Sequence, residues 1–220
     1  MSNAGKIKVL SKPQPKAGLR ERNKADKLRR IQGAARELFV EKGYDNTTTR
    51  EIAQRADVGL GTLFAYAADK RDLLFLIFNS EIEKVFEKGR RDALKKDSLL
   101  DQFLAFFRSY YQFFMQQPAL SRFMLRELTF YMKGTEAQRF QAGRENLLQC
   151  LRELVAAAQA QKRIGSAETP QTIAQAVFAL YASELRSWVS ADLPHLEQGL
   201  QQLRRMLRLL IAGLDSREGG

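Results

Sequence analysis

Residues 50–66 read REIAQRADVGLGTLFAY, two short pieces with helical apolar spacing that are separated by Asp57-Val58-Gly59. Each piece is too short to be stable as an isolated helix in water. Two such helices joined by so tight a turn must cross at a steep angle and pack against another element. The stretch therefore predicts a helix-turn-helix, whose second helix can enter the major groove of DNA. The alternative is a structural corner in a helical protein of another kind.

Signals on both sides of this stretch complete a three-helix unit. A preceding helix is indicated by apolar residues at intervals of three and four: Leu28, Ile31, Ala35, Leu38 and Phe39. Gly43 stands where a left-handed helix cap is favoured. Thr48 and Glu51, three residues apart, predict a capping box for the next helix. Asp57 tolerates a left-handed conformation in the turn, and Asp69 is the expected cap of a long fourth helix.

The rest of the chain also has helical spacing, and no segment has the pattern of a strand. Ser98, the first-turn prolines Pro118 and Pro170, and Gly134 mark further helix starts. The fifth helix, residues 99–116, is apolar over most of its circumference and is therefore expected to be central and buried. The predicted fold class is all-α, with about nine helices.

Composition excludes several classes of protein. The chain has 220 residues, 45% of them hydrophobic and 28% charged, which is the balance of a soluble globular protein. The longest apolar runs, such as residues 73–78, are too short to cross a membrane, and no secretory signal opens the chain. Cys150 is the single cysteine, so a reducing cytoplasm is expected. We read this cysteine as a small core residue in preference to a redox sensor.

Enzymatic chemistry finds little support in the sequence. There is one histidine, His195, which follows a proline in an expected loop, and one cysteine in a helical segment. No nucleophile–base pair, metal-ligand cluster or phosphate-binding loop can be assembled from these. We therefore predict no enzyme, no catalytic residue, no metal site and no cofactor.

Positive charge is concentrated at the start of the chain. Residues 1–30 hold ten Lys and Arg against Glu21 and Asp26, a balance of +8, whereas residues 31–80 have a balance of −1. Prolines at positions 13 and 15 argue against a folded element there. We predict a flexible basic arm over residues 1–25 that adds to DNA affinity. The alternative is a solubilising tail.

The order and spacing of residues 43–74 resemble the N-terminal signature of the tetracycline-repressor (TetR) family. The resemblance covers about residues 28–78 and rests on Gly43-Tyr44, Thr47-Thr48, Ile52-Ala53, Ala56, Val58, Gly61-Thr62-Leu63-Phe64, Tyr66, Asp69-Lys70 and Leu73-Leu74. It implies a helix-turn-helix DNA-binding domain, at 26–70 here. It also implies a helical effector-binding and dimerisation domain, at 71–216, which leaves a tail at 217–220. It further implies a cytoplasmic homodimeric transcription regulator, usually a repressor, that binds double-stranded operator DNA and is released by a small molecule.

The resemblance also assigns residues to the DNA interface. Those expected to contact phosphates or bases are Thr49, Arg50, Leu60, Gly61, Thr62, Phe64, Tyr66 and Lys70. Three positions depart from the family pattern. Gly59 replaces the usual Ser or Thr, Phe64 replaces a frequent Tyr, and Ala67 replaces a frequent Phe. These departures put individual contacts in question and leave the motif intact.

Aromatic residues suggest where an effector binds. Ten of the 21 aromatic residues lie between positions 103 and 131, and polar residues among them would be costly in a core without partners. An apolar cavity with a few polar groups is typical of a ligand site. We predict a pocket for an unidentified, largely apolar effector lined by Phe107, Tyr110, Tyr111, Phe114, Phe123, Arg126, Glu127 and Phe130. The alternative is a plain hydrophobic core.

The last two helices carry the pattern of a dimer interface. The ninth has leucines at intervals of four and three, and the eighth combines apolar with small residues. A four-helix interface between two subunits is predicted from Ile173, Val177, Leu180, Leu196, Leu200, Leu203, Leu207 and Leu210. The alternative is that this seam packs only within one chain.

These expectations favour one functional hypothesis and leave two alternatives. The main reading is a sequence-specific DNA-binding regulator, a repressor released from a palindromic operator by a small effector. One competitor is a helical ligand-binding protein without specific DNA binding. The other is a non-specific DNA-coating protein that binds through its basic arm.

Overall fold

The structure is a computed structural model that describes residues 18–128 and 133–215. Within these ranges the chain forms nine α-helices and no strand, which confirms the predicted all-α class. The helices are α1 (Leu19–Glu41), α2 (Thr49–Arg55), α3 (Leu60–Phe64), α4 (Lys70–Ala93), α5 (Leu99–Met115), α6 (Pro118–Glu127), α7 (Thr135–Ala160), α8 (Pro170–Val189) and α9 (Leu196–Asp215). None of the described helices is long and apolar enough to span a membrane.

The helix boundaries of the N-terminal unit follow the caps expected from the sequence. The Thr48 hydroxyl accepts from the backbone N–H of Glu51, and the Glu51 carboxylate accepts from the N–H of Thr48 at 2.8 Å. Gly43 and Asp57 both have positive φ, 79° and 51°. The Asp69 carboxylate accepts from the N–H groups of the first turn of α4. Local signals therefore fix where α2 and α4 begin.

The first helix starts earlier than the sequence suggested. The expected boundary near residue 26 lies inside α1, which begins at Leu19. Residues 19–27 are exposed and mostly polar or charged, so the sequence has no apolar periodicity there that would predict a helix. Most of these residues, such as Leu, Arg, Glu, Lys and Ala, nevertheless have a high helix propensity. Residues 1–17 of the predicted arm and the predicted tail at 217–220 lie outside the described residues.

Aromatic side chains form the centre of the C-terminal body. The helix α5 is buried on most sides, as expected, with Phe103, Phe106 and Phe107 fully enclosed. The Phe107 ring stacks on Tyr181 of α8 with centroids 4.1 Å apart. Tyr111 packs on Trp188 at 4.6 Å. These ring contacts join α5 to α8 and define the body of the domain.

The leucine seam of α9 packs inside the chain, which corrects the predicted dimer interface. Five of the eight predicted interface residues are between 0% and 7% exposed, namely Ile173, Val177, Leu200, Leu203 and Leu207. The other three, Leu180, Leu196 and Leu210, are half-buried against the same core. A heptad seam reports burial and does not by itself say which helix it faces.

Close contact between α9 and its neighbours explains why the seam is enclosed. Gly199 of α9 lies against Trp188 and Tyr111, and a Cβ atom there would be 2.6 Å from the Trp188 ring. The indole N–H of Trp188 donates to the His195 carbonyl at 2.9 Å, just before α9 begins. Leu209, 71% exposed, is the apolar side chain that α9 leaves towards solvent.

Candidate DNA-binding face and effector cavity

The recognition unit is held in shape by contacts from α1. Arg30 donates from Nη1 to the Asp57 carbonyl at 3.1 Å and to its carboxylate at 3.0 Å. This fixes the turn between α2 and α3. Leu63, fully buried, anchors α3, while Gly61 and Phe64 face outwards, Phe64 with 44% of its surface exposed. A helix of five residues is thereby presented without depending on its own stability.

The structure leaves all eight predicted DNA contacts accessible. Arg50, Gly61 and Phe64 are exposed, and the others are half-buried: Thr49, Leu60, Thr62, Tyr66 and Lys70. All eight lie between the start of α2 and the first residue of α4. An apolar ring such as Phe64 at the surface can contact a thymine methyl group, and Thr62 can bond a base or a phosphate.

Two of these residues have partners within the chain that the sequence did not reveal. The Tyr66 hydroxyl donates to the Lys24 carbonyl of α1 at 3.2 Å. The Lys70 ammonium donates to the carbonyls of Tyr44 and Asp45 at 2.9 and 3.2 Å and lies 4.6 Å from the centre of the Tyr44 ring. An ammonium has three N–H donors, so Lys70 retains one for a phosphate.

A large cavity opens in the C-terminal body between α4, α5, α6, α7 and α8. Its volume is about 1050 Å³, at the upper end of the usual range for ligand sites. Most of its wall is apolar, formed by Ile82, Phe86, Tyr110, Phe114, Leu125, Leu128, Phe140, Leu147, Phe178, Tyr181 and Leu185. Polar groups also line it, among them Arg144 and Arg186. The Arg144 guanidinium lies 4.8 Å from the centre of the Phe178 ring.

Only part of the predicted effector set lines this cavity. Tyr110 and Phe114 do. Phe107 and Tyr111 belong to the α5–α8 ring contacts, because they lie on the side of α5 that faces Tyr181 and Trp188. Phe130 lies outside the described residues. The apolar spacing of Phe178, Tyr181 and Leu185 on α8 could have indicated further wall residues, but nothing in the sequence says that α7 and α8 face α5 across a space.

Phe123, Arg126 and Glu127 lie at the boundary with the N-terminal unit instead of in the cavity. Arg126 bonds the Asp45 carboxylate at 3.3 Å and that of Glu127 at 3.0 Å, and its guanidinium lies 5.1 Å from the centre of the Phe123 ring. Glu127 also pairs with Arg71 at 3.2 Å. Their partners are some 55 to 80 positions earlier in the sequence, so local spacing could not identify them.

A buried carboxylate joins the start of α4 to the start of α7. Asp72 is fully buried, and its oxygens accept from the backbone N–H groups of Ala68 at 2.9 Å, Glu136 at 3.0 Å and Ala137 at 2.9 Å. Gly134, with φ 96°, lies so close that a Cβ atom would collide with this carboxylate. Asp72 therefore ties the segment that follows α3 to a helix whose next turns line the cavity. We call this contact the Asp72 link.

Metal-binding clusters and the single cysteine were the remaining candidates for site chemistry in the described part of the chain. Across residues 18–128 and 133–215, no group of three or more His, Cys, Asp or Glu side chains is placed to hold a metal ion. Cys150 is buried, and burial raises the pKa of its thiol to about 11. A thiol with so high a pKa is an unreactive core residue, in agreement with the expectation from sequence.

The N-terminal unit is similar in sequence to known bacterial regulators. Residues 31–77 match the family model described as bacterial regulatory proteins, tetR family. The regulator QacR of Staphylococcus aureus is 35% identical over 66 residues, which are 30% of this chain and 35% of that protein. The fatty acid metabolism regulator protein of Bacillus subtilis is 31% identical over 75 residues, 34% of this chain and 39% of that protein. The matched stretch thus spans little more than a third of these relatives.

Solved structures extend the similarity of fold to the C-terminal body. FadR from Thermus thermophilus, a TetR-family repressor in complex with lauroyl-CoA, has a TM-score of 0.68 and 24% identity over 87% of this chain and 97% of its own. FadR from Bacillus subtilis, in complex with stearoyl-CoA, has a TM-score of 0.67 and 20% identity over 84% and 98%. Residues 31–77 therefore match the tetR family of bacterial regulatory proteins, and the chain as a whole shares the fold of these solved structures.

Proposed function

We propose that the chain is a homodimeric transcriptional repressor that acts in the cytoplasm and binds a palindromic operator. A largely apolar small molecule in the cavity between α4 and α8 weakens that binding. The observation that carries the proposal is the position of α4. This helix begins at Lys70 beside the recognition unit and contributes Ile82 and Phe86 to the cavity wall. A ligand that favours one setting of α4 changes the setting of the recognition helix.

Two contacts make such transmission physically reasonable. The Asp72 link joins α4 to α7, which contributes Phe140 and Leu147 to the wall. The Arg126–Asp45 ion pair joins α6, which contributes Leu125, to the loop after α1. The Asp72 link and the Arg126–Asp45 ion pair therefore both lie within one or two helical turns of residues that line the cavity. A shift of these helices costs operator contacts, because two recognition helices in a dimer must match half-sites about one DNA turn apart.

The dimer interface is proposed on the outer faces of α8 and α9. Leu209 and the half-buried Met206 lie on one side of α9, away from its enclosed seam. Ala176 and Ser187 of α8 lie outside the cavity lining and are small enough to let another helix approach closely. A second copy of this surface would enclose Leu209, which is otherwise an isolated exposed apolar residue.

The nature of the cavity supports an effector with a long apolar part. Its walls are mainly aromatic and aliphatic, and its polar lining includes the cations Arg144 and Arg186 as well as the carboxylates Glu83 and Glu87. The two FadR structures of similar fold hold lauroyl-CoA and stearoyl-CoA. Long-chain acyl thioesters are therefore the first compounds to test as effectors, with free coenzyme A as the control that lacks the apolar chain.

The DNA-binding part is tested by selecting duplexes from random-sequence DNA with the full-length protein. We expect an inverted repeat. Thr62→Ala and Phe64→Ala are expected to lower affinity for it by about 1–3 kcal/mol each, and to leave affinity for unrelated DNA unchanged. Lys70→Ala is expected to weaken all DNA alike, because Lys70 contacts phosphates. Val40→Ala, an exposed residue of α1, is the control. If the protein selects no sequence, a ligand-binding function or non-specific DNA coating is the better hypothesis.

A further inference from the structure

The N-terminal turns of α1 carry a line of positive charge. Arg20, Lys24 and Lys27 precede Ile31 by eleven, seven and four residues. At 3.6 residues per turn these positions share one face of the helix with Ile31. From Ile31 onwards that face is buried in the core of the N-terminal unit, whereas the three cations are exposed. The core-facing stripe of α1 thus continues beyond the core as a cationic stripe, which reaches about 16 Å past Ile31.

Acidic residues do not neutralise this stripe. In the described structure no carboxylate lies within ion-pair distance of Arg20, Lys24 or Lys27. Asp26 pairs with Arg29 at 3.2 Å and with Arg30 at 3.4 Å, which are on other faces of the helix. The three cations are therefore available to an anionic partner.

The stripe adjoins the recognition helix. Tyr66, two residues after the end of α3, donates its hydroxyl to the carbonyl of Lys24. Arg30, nearly two turns after Lys24 along α1, holds the turn that precedes α3. The N-terminal half of α1 is thus attached at both ends of the recognition helix, and the stripe is continuous with the proposed DNA-binding face.

Charge complementarity identifies the partner. Residues 31–80 have a net charge of −1, although non-specific DNA affinity comes mainly from Lys and Arg at phosphates. Lys70, a predicted phosphate contact, already gives two of its N–H groups to backbone carbonyls. Arg50 is the only other basic residue among the eight predicted DNA contacts, so further cations beside this unit would raise its affinity for phosphates.

We propose that Arg20, Lys24 and Lys27 form a separate phosphate-binding stripe that contacts the DNA backbone next to the bases read by α3. This rests on the proposed DNA-binding function and adds a site to it. The stripe belongs to a folded helix, so it acts at a fixed place on the duplex. It therefore differs from an unstructured arm, which would contribute wherever DNA is negative.

The test compares two double variants of the full-length chain that remove equal charge from α1. Arg20→Ala with Lys24→Ala removes part of the stripe, and Arg22→Ala with Arg29→Ala removes two exposed arginines from the other side of the helix. Affinity for the selected duplex is measured by fluorescence anisotropy between 50 and 300 mM salt. Circular dichroism and thermal unfolding verify that both variants remain folded.

We expect the stripe variant alone to flatten the slope of log affinity against log salt by about 1.8, which corresponds to about a 30-fold loss at 0.15 M salt. A second measurement uses the same duplex shortened at both ends. Wild-type protein should lose affinity on the shortened duplex, and the stripe variant should lose much less, because its flanking contacts are already gone.

The outcomes separate this proposal from the function on which it rests. If wild-type protein selects no sequence, both are overturned. If it selects an operator but the two double variants have the same salt slope, the stripe proposal alone fails. Equal sensitivity of wild-type and stripe variant to duplex length would also overturn it, since the cations would then not contact flanking phosphates.

Discussion

The N-terminal unit and the C-terminal body both have an apolar core, but they differ in the contacts that give them their shape. In the unit, polar contacts fix a five-residue recognition helix: the Thr48–Glu51 capping box and the Arg30–Asp57 bonds. In the body, aromatic packing surrounds a cavity of about 1050 Å³, although protein interiors rarely contain voids larger than a water molecule. The contacts of the unit keep its shape fixed, whereas the body has space for a ligand. A signal between them must move the unit as a whole.

The boundary between the two regions has the contacts that such a movement needs. Asp72, at the start of α4, bonds the start of α7, and Arg126 of α6 pairs with Asp45 in the loop after α1. Burial also sets the chemistry there. The pKa of the Tyr44 hydroxyl is raised by burial, with a further contribution from the Glu127 carboxylate, so this ring stays neutral between the cations of Lys70 and Arg126.

The largest effect should separate the enclosed face of α9 from its outer face. Leu203→Glu places a carboxylate at a fully buried site, which costs several kcal/mol out of a total stability of about 5–15 kcal/mol. We expect an unfolded or aggregated protein. Leu209→Glu should fold normally but sediment as a monomer that binds the operator weakly. A folded, monomeric Leu203→Glu variant would mean that the α9 seam faces the partner after all.

A smaller effect is expected from breaking the Asp72 link. In Asp72→Asn the amide NH₂ group opposes a backbone N–H, which leaves a buried donor unpaired at a cost of about 1–3 kcal/mol. We expect effector binding in the body to survive and its influence on operator affinity to decrease. Asp92→Asn, at a half-buried position near the other end of the same helix, is the control. Unchanged coupling in Asp72→Asn would show that the signal bypasses α7.

The sequence predicted the N-terminal unit better than the C-terminal body, because the unit depends more on local contacts. Thr48 and Asp69 accept from backbone N–H groups two or three residues away, and Asp57 adopts a left-handed conformation at its own position, so their roles are visible in a short window. Arg126 was assigned to the effector because its partner Asp45 lies 81 residues away. Leu203 was assigned to the dimer because its periodicity reports burial without naming the neighbour. The body depends on tertiary contacts, and these are not encoded in local spacing.

The smallest effect should be an acid sensitivity confined to the N-terminal unit. Hydrogen bonds from Lys42 and from Thr48 lower the pKa of Glu51 from 4.5 to about 2. The stabilisation is complete above about pH 4.5 and is lost as pH falls towards 2. Amide-exchange protection in α2 should decline over this window in wild-type protein but remain flat in Glu51→Gln. Protection in α2 that falls equally in both proteins would assign the acid effect to another group. Glu168→Gln in the body is the control and should behave as wild type.

The central claim is that a ligand in the cavity and the operator oppose each other's binding. The most direct measurement is operator affinity with and without saturating lauroyl-CoA or stearoyl-CoA, together with the affinity of the same ligand with and without operator. Binding is followed through Trp188, which is connected to the cavity residue Tyr181 through Tyr111. Gly143 lines the cavity and has open space for a Cβ atom, so Gly143→Phe should obstruct the ligand space, while Ala142→Phe, on the neighbouring exposed position, serves as its control.

We expect ligand to lower wild-type operator affinity by about 5- to 150-fold, and operator to lower ligand affinity by the same factor. Gly143→Phe should bind operator but not ligand, and Ala142→Phe should behave as wild type. If ligand binds in the cavity of the wild-type protein with the same affinity in the presence and absence of operator, the two sites are not coupled.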